Sequence, residues 1–289
     1  MTGTQARPTI KRRRIGSLLR HYREAHTPRI LSKEAARHIG VEPSQLGRIE
    51  RGEYRIKPAQ IESLLRLYDV LDPVVYAELR HAALLPLDAG WWYPYRNDIS
   101  PSLLDFITLE NEATEIRSVT PSGINGLLQC ASYASAVQNS SILPAVREQA
   151  DLFVSVRMSR QRVIRRSKDP VMLRCIMVES AFQLTDPVME DQIQHLLAVS
   201  RQDNVEIQVM PFNAPLGMQV DVHANLLRFR KPWPSVVHVA TLGGGFTDDS
   251  DKKVQNADMH FKALSNTALP VDKTREFLEE RLKRIRHGH

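Results

Sequence analysis

The spacing of four residues between Ala36 and Ile49 constrains the fold of this chain more than any other feature of its sequence. Counted from Ser32, Ala36 is fifth, Gly40 ninth, Leu46 fifteenth and Ile49 eighteenth. Two short helices joined by a tight turn need a small residue where the second helix crosses the first. They also need a turn residue that tolerates positive φ, and two apolar residues on the inner face of the second helix. The segment meets all of these requirements, so it predicts a helix-turn-helix.

Helix signals on both sides extend this motif into a domain built only of helices. Apolar residues recur at helical spacing from Lys11 onward, and proline stands at the first position of three predicted helices. Asp72 is a predicted N-cap, and Gly40 and Gly52 each follow a predicted helix end. The predicted helices begin at Lys11, Ser32, Pro43, Pro58 and Pro73. Five short helices over residues 10–85 indicate a compact all-α domain.

The sequence pattern changes after residue 85. Residues 86–102 are rich in proline, glycine and aromatic side chains and are predicted to form a linker, while residues 1–9 resemble a disordered arm. Residues 103–289 alternate helical periodicity with β-branched runs, which predicts an α+β domain with about four strands. Strands are expected at 171–178, 204–212, 224–230 and 235–242, and helices at 103–118, 144–167, 188–200, 251–264 and 272–286.

Positive charge is concentrated in the predicted helical domain. The chain has a net charge of +6, and residues 1–80 hold 16 Lys and Arg against 9 Asp and Glu. The remainder of the chain is close to neutral. This asymmetry favours a module for an anionic partner joined to a neutral body, although a solvated basic surface without a partner gives the same composition.

The outward face of the second helix of the motif carries hydrogen-bonding side chains. Ser44, Gln45 and Arg48 lie there, and Pro43 sets the start of the helix at the end that enters the major groove in this motif. Glutamine pairs with adenine and arginine with guanine, or either contacts phosphate. Basic residues expected to neutralise phosphates are Lys11, Arg12, Arg13, Arg14, Arg51, Arg55 and Lys57. The alternative is a solvated face on a structural helical module.

Residues 11–83 resemble the lambda-repressor-like helix-turn-helix domain of the XRE family, and GRIERG at 47–52 is very similar to its signature. The resemblance implies sequence-specific DNA binding by a transcription regulator, with Ser32 among the DNA contacts. The sequence departs from the family in two places. Leu31 and Ser32 stand where the family usually has Thr-Gln, and Gly47 stands where it has serine. The family's glutamine and hydroxyl contacts are therefore missing, and the site preference of a relative does not transfer.

Residues 90–286 carry segments found together in a second known group, namely GWWYPYRNDI, LENEATEIRSVTPSGINGLLQCASYASAV, SRQ, VES and NVEIQVMPFNAPLG. They resemble the C-terminal domain of actinobacterial, antitoxin-like regulators of the Scr1 group, a domain type known as DUF5753. Many of these regulators are encoded beside a small acidic partner protein, and their effectors are mostly unknown.

These features predict a transcription regulator that acts as a homodimer, because helix-turn-helix proteins commonly bind two half-sites of double-stranded DNA symmetrically. The second domain is expected to serve dimerisation and the input of a signal or partner. The alternative is an antitoxin-like interaction protein, whose second domain chiefly binds a small acidic partner protein or a small-molecule effector.

The second domain shows no pattern that points to catalysis. GGGF at 243–246 lacks the Lys-Ser/Thr of a phosphate-binding loop, and His223, His238 and His260 have no metal-ligand spacing. We therefore expect no catalytic residues, no metal and no cofactor.

Trp91, Trp92, Tyr93 and Tyr95 form the densest aromatic group. They are candidates for a ligand pocket or a partner groove, or for a hydrophobic joint between the two domains. The chain has two widely separated cysteines, and none of its apolar runs approaches the roughly 18 residues of a membrane span. We therefore expect a cytoplasmic protein associated with the nucleoid and not with a membrane.

Overall fold

The computed structural model describes residues 8–85, 90–183, 187–215, 220–241 and 244–287. The first compact unit comprises Met1–Leu109 and Phe229–Pro234, and the second comprises Glu110–Arg228 and Ser235–His289. The predicted fold class is confirmed, since helices build the first unit and a mixed sheet with helices builds the second. The units divide after Leu109, whereas the predicted second domain begins at residue 103. Residues 1–7 of the predicted arm and 86–89 of the predicted linker lie outside the described residues.

Residues 8–85 contain the five predicted helices: α1 (Ile10–Ala25), α2 (Ser32–His38), α3 (Pro43–Glu50), α4 (Pro58–Leu67) and α5 (Pro73–Leu84). Proline begins α3, α4 and α5, because its fixed φ suits the first helical position and its missing N–H needs no partner there. The Thr9 hydroxyl caps α1 by accepting from the Arg12 N–H, and the Asp72 carboxylate caps α5 by accepting from the Val74 N–H. A 3₁₀ turn (Tyr93–Tyr95) and α6 (Pro101–Glu112) follow.

The residues that predict the helix-turn-helix occupy the expected places. Ala36 and Leu46 are fully buried, and Ile49 is nearly so. Gly40 follows α2 with a φ of +69°, a left-handed conformation that glycine adopts without strain. All five helices contribute to the surrounding core, which includes Ile15, Leu19, Ala35, Ile61, Leu64 and Leu79. This core fixes α2 and α3 against the other three helices.

Two glycines let the backbone of α1 approach the end of α3. A Cβ on Gly16 would lie 2.4 Å from the carbonyl oxygen of Ile49 and 2.5 Å from that of Glu50. A Cβ on Gly52, which has a φ of +74°, would lie 2.6 Å from the backbone nitrogen of Arg13. Because these are backbone atoms, a change of side-chain rotamer does not relieve the overlap. The position of α3 on the core therefore depends on both glycines.

The described part of the second unit contains one six-stranded sheet. Along the chain, helices lie between β1 and β2, between β2 and β3, and after β6. The strands are β1 (Glu115–Thr120), β2 (Met172–Val178), β3 (Val205–Met210), β4 (Ala224–Arg228), β5 (Val236–Thr241) and β6 (Gly244–Asp248). The helices are α7 (Ala131–Asn139), α8 (Pro144–Glu148), α9 (Ala150–Arg160), α10 (Arg162–Arg165), α11 (Val188–Val199), α12 (Asp251–Thr267) and α13 (Val271–His287).

The strand order is β3-β2-β1-β4-β5-β6. Strands β1, β2 and β3 run parallel, and each of the following strands is antiparallel to its neighbour. The chain moves from β1 to one edge through β2 and β3, and it returns to the other side of β1 with β4. The carboxyl end of β1 is therefore the point where the strand order reverses.

The sheet is larger than predicted, because the sequence pattern does not reveal β1 or β6. The predicted helix over 103–118 ends instead as α6 at Glu112, and β1 follows at once. Ile116 and Val119 are three residues apart, as on one face of a helix, so periodicity alone favours the wrong structure. Pairing with β2 and β4 makes the segment a strand. The predicted helix over 144–167 is also divided, into α8, α9 and α10, and α7 has no predicted counterpart.

Candidate nucleic-acid interface

The residues predicted to contact base edges lie together on α3, away from the core. Pro43 and Ser44 are exposed at its first turn, and Gln45 and Arg48 are half-buried further along the same helix. Leu46, on the opposite face, is fully buried in the five-helix core. Since α3 is anchored by its inner face, its outer face presents a fixed pattern of hydrogen-bonding groups.

The Glu53 carboxylate lies beside two arginines, Arg48 on α3 and Arg51 at the end of that helix. The Glu53 carboxylate accepts two hydrogen bonds from the Arg51 guanidinium, at 2.7 and 3.1 Å, and lies 3.8 Å from the Arg48 Nε. The Arg51 hydrogen bonds lower the pKa of Glu53, so this carboxylate is ionised at neutral pH. The Arg48 guanidinium also lies 5.3 Å from the centroid of the Tyr54 ring. If this face contacts DNA, Glu53 competes with phosphate or base groups for both arginines.

We expect Glu53→Gln to strengthen binding to any DNA, because it removes the anion that occupies Arg51. One additional phosphate contact would steepen the slope of log Kobs against log salt by about 0.9. The measurement is a series of DNA titrations at several salt concentrations. Glu62→Gln, with the same charge change on α4, is the control; equal slopes for the two variants would contradict the competition.

A buried ion pair holds the end of α3 to α1. Arg23 donates to both carboxylate oxygens of Glu50, at 2.7 and 2.8 Å, and also to the carbonyl oxygen of Ile30 at 3.2 Å. Both charged side chains are only 7% exposed. Because the paired groups lie on α1, the following turn and α3, the bonds orient α3 relative to the rest of the first unit.

The predicted phosphate-binding residues differ in their exposure to solvent. Lys11 and Arg12 are half-buried, and Arg55 and Lys57 are exposed, with an Arg55 hydrogen bond to the carbonyl oxygen of Ala83. Ser32 is half-buried at the start of α2, and Leu31 provides no side-chain cap there.

Two basic residues of α1 are bound to other residues of the first unit. The Arg13 guanidinium forms an ion pair with Asp105. Arg14 is 4% exposed, and its guanidinium lies 3.9 Å from the ring centroid of Phe229 and 5.1 Å from that of Trp233. Arg14 also donates to the Pro234 carbonyl oxygen at 3.2 Å. The phosphate role predicted for Arg14 is thus at odds with its position, because a buried guanidinium does not reach a phosphate.

The aromatic residues predicted to line a pocket or a groove are clustered in the first unit. Trp91 contacts Trp92 and Tyr95 edge to face, with ring centroids 5.7 and 6.3 Å apart. The Arg96 guanidinium lies 4.2 Å from the Tyr93 ring centroid. All four rings are half-buried, so they pack on one another and retain some accessible surface. Their role toward a ligand or partner stays a prediction.

The sequence patterns miss several residues that shape this surface. Glu50 and Glu53 lie in or next to the GRIERG segment, whose charge pattern alone does not separate a buried glutamate from an exposed one. Trp233, whose indole donates to the Glu78 carboxylate at 3.2 Å, is distant in sequence from the helices that it packs against. Asp105 is 92 residues from Arg13, so neither contact has a local signal.

Among the residues that the structure describes, no helix combines the length and apolarity needed to cross a membrane. Within the same ranges, no group of three or more His, Cys, Asp or Glu side chains is placed to hold a metal ion. Gly243 of the GGGF segment lies outside the described residues.

Two family models match the chain. One is described as a helix-turn-helix domain and matches residues 14–79. The other is described as a domain of unknown function (DUF5753) and matches residues 103–280, which is more than half of the chain. The predicted resemblance to a helix-turn-helix regulator with this type of C-terminal domain is confirmed. Comparison with curated proteins and with solved structures found no match.

Proposed function

Since this chain belongs to the DUF5753 family and its first unit carries a DNA-binding helix-turn-helix domain, we propose that it is a sequence-specific, homodimeric and non-enzymatic transcription regulator. The observation that carries the proposal is the outer face of α3. It presents Ser44, Gln45 and Arg48 on a helix whose opposite side is fully buried.

The chemistry of these side chains suits the major groove. An arginine pairs with O6 and N7 of guanine and a glutamine with N6 and N7 of adenine, each through two hydrogen bonds. In this proposal Arg48 and Gln45 read bases, and Ser44 contacts a base or phosphate near the start of α3. Lys11, Arg12, Arg51, Arg55 and Lys57 neutralise phosphates, which supplies affinity without sequence information.

The second unit serves dimerisation and signal input in this proposal. Two recognition helices related by a twofold axis read half-sites about 34–36 Å apart, one turn of the DNA helix. Footprinting on the promoter region of its own gene tests the whole proposal. A protected site with two half-sites supports it, whereas retention only on bulk DNA at low salt contradicts it.

Arg48→Ala is expected to weaken binding to the protected site by about 1–3 kcal/mol, because a bidentate contact to a base is lost. Binding to random DNA should change little. Lys57→Ala is the contrasting variant, since loss of a phosphate contact weakens both complexes alike. Titration of both variants with both DNAs gives the comparison, and an equal loss for Arg48→Ala on the two DNAs would make it a phosphate contact.

A second candidate function, binding of a small partner protein, is favoured by exposed apolar side chains on the second unit. Ile142 and Leu143, between α7 and α8, are 91% and 58% exposed, and Val137 on α7 is 41% exposed. Apolar residues grouped at a surface often mark an interaction site. Purification from the native host tests this: a stoichiometric small acidic protein lost on Ile142→Asp supports the candidate, and retention of that protein by the variant contradicts it.

A further inference from the structure

The turn after α3 folds back onto the last turn of that helix. Gly52 has a φ of +74°, a left-handed conformation that is common just after a helix end. The N–H groups of the next two residues, Glu53 and Tyr54, both donate to the Arg48 carbonyl oxygen, at 2.9 and 3.3 Å. The backbone of Glu53 and Tyr54 is therefore fixed relative to Arg48.

The Tyr54 ring contacts the Arg48 side chain at the surface. The Arg48 guanidinium carbon lies over the ring, 5.3 Å from its centroid, which is within the range of a cation–π interaction. Tyr54 is 45% exposed, and it is not among the described side chains that form or pack on the five-helix core. The ring therefore does not serve the core, and its position beside Arg48 needs another explanation.

The contact with Tyr54 leaves the N–H groups of Arg48 available. The Arg48 guanidinium donates no hydrogen bond to any residue that the structure describes, and the Glu53 carboxylate, 3.8 Å from its Nε, is beyond hydrogen-bond distance. Arg51, in contrast, donates two hydrogen bonds to the same carboxylate. A cation–π contact attracts the guanidinium charge without using its N–H groups as a carboxylate does. Arg48 is therefore restrained and still keeps the donors that would contact DNA.

Restraint of an exposed arginine matters for recognition, because ordering a long side chain opposes binding. The Arg48 side chain is 38% exposed, so packing against the protein alone does not immobilise it. Two hydrogen bonds to guanine require one orientation of the planar guanidinium, whereas a phosphate accepts a single bond from many directions. A group that holds the Arg48 guanidinium in place is therefore expected to affect binding to the correct base more than binding to phosphate.

We propose that Tyr54 is a positioning residue for Arg48 and thereby increases the discrimination of this protein among DNA sequences. Tyr54 acts through the arginine and not through a contact of its own with DNA. Glu53 does not replace it, because that carboxylate is hydrogen-bonded to Arg51. The effect on DNA recognition rests on the proposed function, whereas the positioning of Arg48 is a property of the protein without DNA.

Nuclear magnetic resonance of the full chain without DNA tests the positioning, so its outcome is independent of the footprinting experiment. Relaxation of the side-chain Nε–H signal should show that Arg48 is more restrained than the exposed Arg37 of α2, which forms no ion pair among the described residues. Tyr54→Phe should keep this restraint, and Tyr54→Leu should lose it. The proposal is overturned if Arg48 is as mobile as Arg37 in the wild type, or if Tyr54→Leu leaves its mobility unchanged.

Titration with the protected site and with random DNA tests the consequence for recognition. Tyr54→Leu should bind the protected site about two- to fivefold more weakly, the loss that corresponds to an exposed cation–π contact, and should bind random DNA like the wild type. Tyr54→Phe should match the wild type on both DNAs. In an Arg48→Ala background, Tyr54→Leu should have no further effect, because the residue through which Tyr54 acts is absent.

Two results of these titrations would overturn the proposal. An equal loss for Tyr54→Leu on both DNAs, or the same loss in the Arg48→Ala background as in the wild type, would make Tyr54 a direct DNA contact. If footprinting finds no protected site, the proposed function fails, and the mobility of Arg48 in the protein without DNA still decides whether Tyr54 positions it.

Discussion

Glu50→Ala is expected to destabilise the first unit by about 3–5 kcal/mol, because it leaves a buried arginine without its charge partner. Arg23 would retain the carbonyl oxygen of Ile30 and the more distant Glu24 carboxylate, 3.6 Å away. Neither replaces the two short bonds to Glu50. Since that pair also orients α3, the variant should lose specific DNA binding at temperatures where the wild type is folded.

Tryptophan fluorescence during denaturation measures this effect on the correct unit, because Trp91, Trp92 and Trp233 all belong to the first unit. Glu62→Ala is the control. Its carboxylate lies 3.7 Å from the exposed Arg80, and a surface pair of this kind contributes about 0–1 kcal/mol. A similar decrease in the free energy of unfolding for the two variants would show that the Arg23–Glu50 pair does not hold α3.

Gly16→Val is expected to cost about 3 kcal/mol or more, the upper part of the range for overpacking, because the obstructing atoms are backbone. The added Cβ would meet the carbonyl oxygens of Ile49 and Glu50, so α1 and α3 would have to move apart. Thermal denaturation monitored by tryptophan fluorescence measures the loss of stability. A variant with wild-type stability would mean that the close approach of the two helices is not needed.

Gly47→Ala is a second glycine substitution, and it is expected to stabilise the first unit. A Cβ there would meet only the Arg51 side chain, at 3.4 Å, which is an ordinary contact. Replacing an unhindered glycine inside a helix by alanine stabilises by about 0.5–1 kcal/mol. The two variants together separate a glycine required by packing from one that the fold tolerates, and destabilisation by Gly47→Ala would contradict this distinction.

The first unit was largely predictable because its signals are local. Proline at the first position of a helix, the Asp72 cap and the positive φ of Gly40 act within one turn of chain. The inner face of α3 follows from a periodicity that requires no knowledge of its partners. The outward residues Ser44, Gln45 and Arg48 follow from the same periodicity, so the candidate DNA-reading face was accessible from the sequence.

The sheet was less predictable because a strand depends on distant neighbours. β1 contains Ile116 and Val119 at a spacing that also suits a helix, and it becomes a strand because β2 and β4 pair with it on both sides. Local periodicity carries no information about partners that lie more than 50 residues away along the chain.

Caps, prolines and apolar periodicity act over short distances, so the amino-acid sequence alone predicts which segments of the first unit are helical and which residues of α3 face outward. Which charged side chains are available to bind another molecule depends on tertiary contacts. Arg14 is covered by Trp233, Arg51 is held by Glu53, and Arg23 is buried against Glu50. The reason is physical: a charge is neutralised or desolvated by groups that folding brings near, and their sequence distance from it is arbitrary.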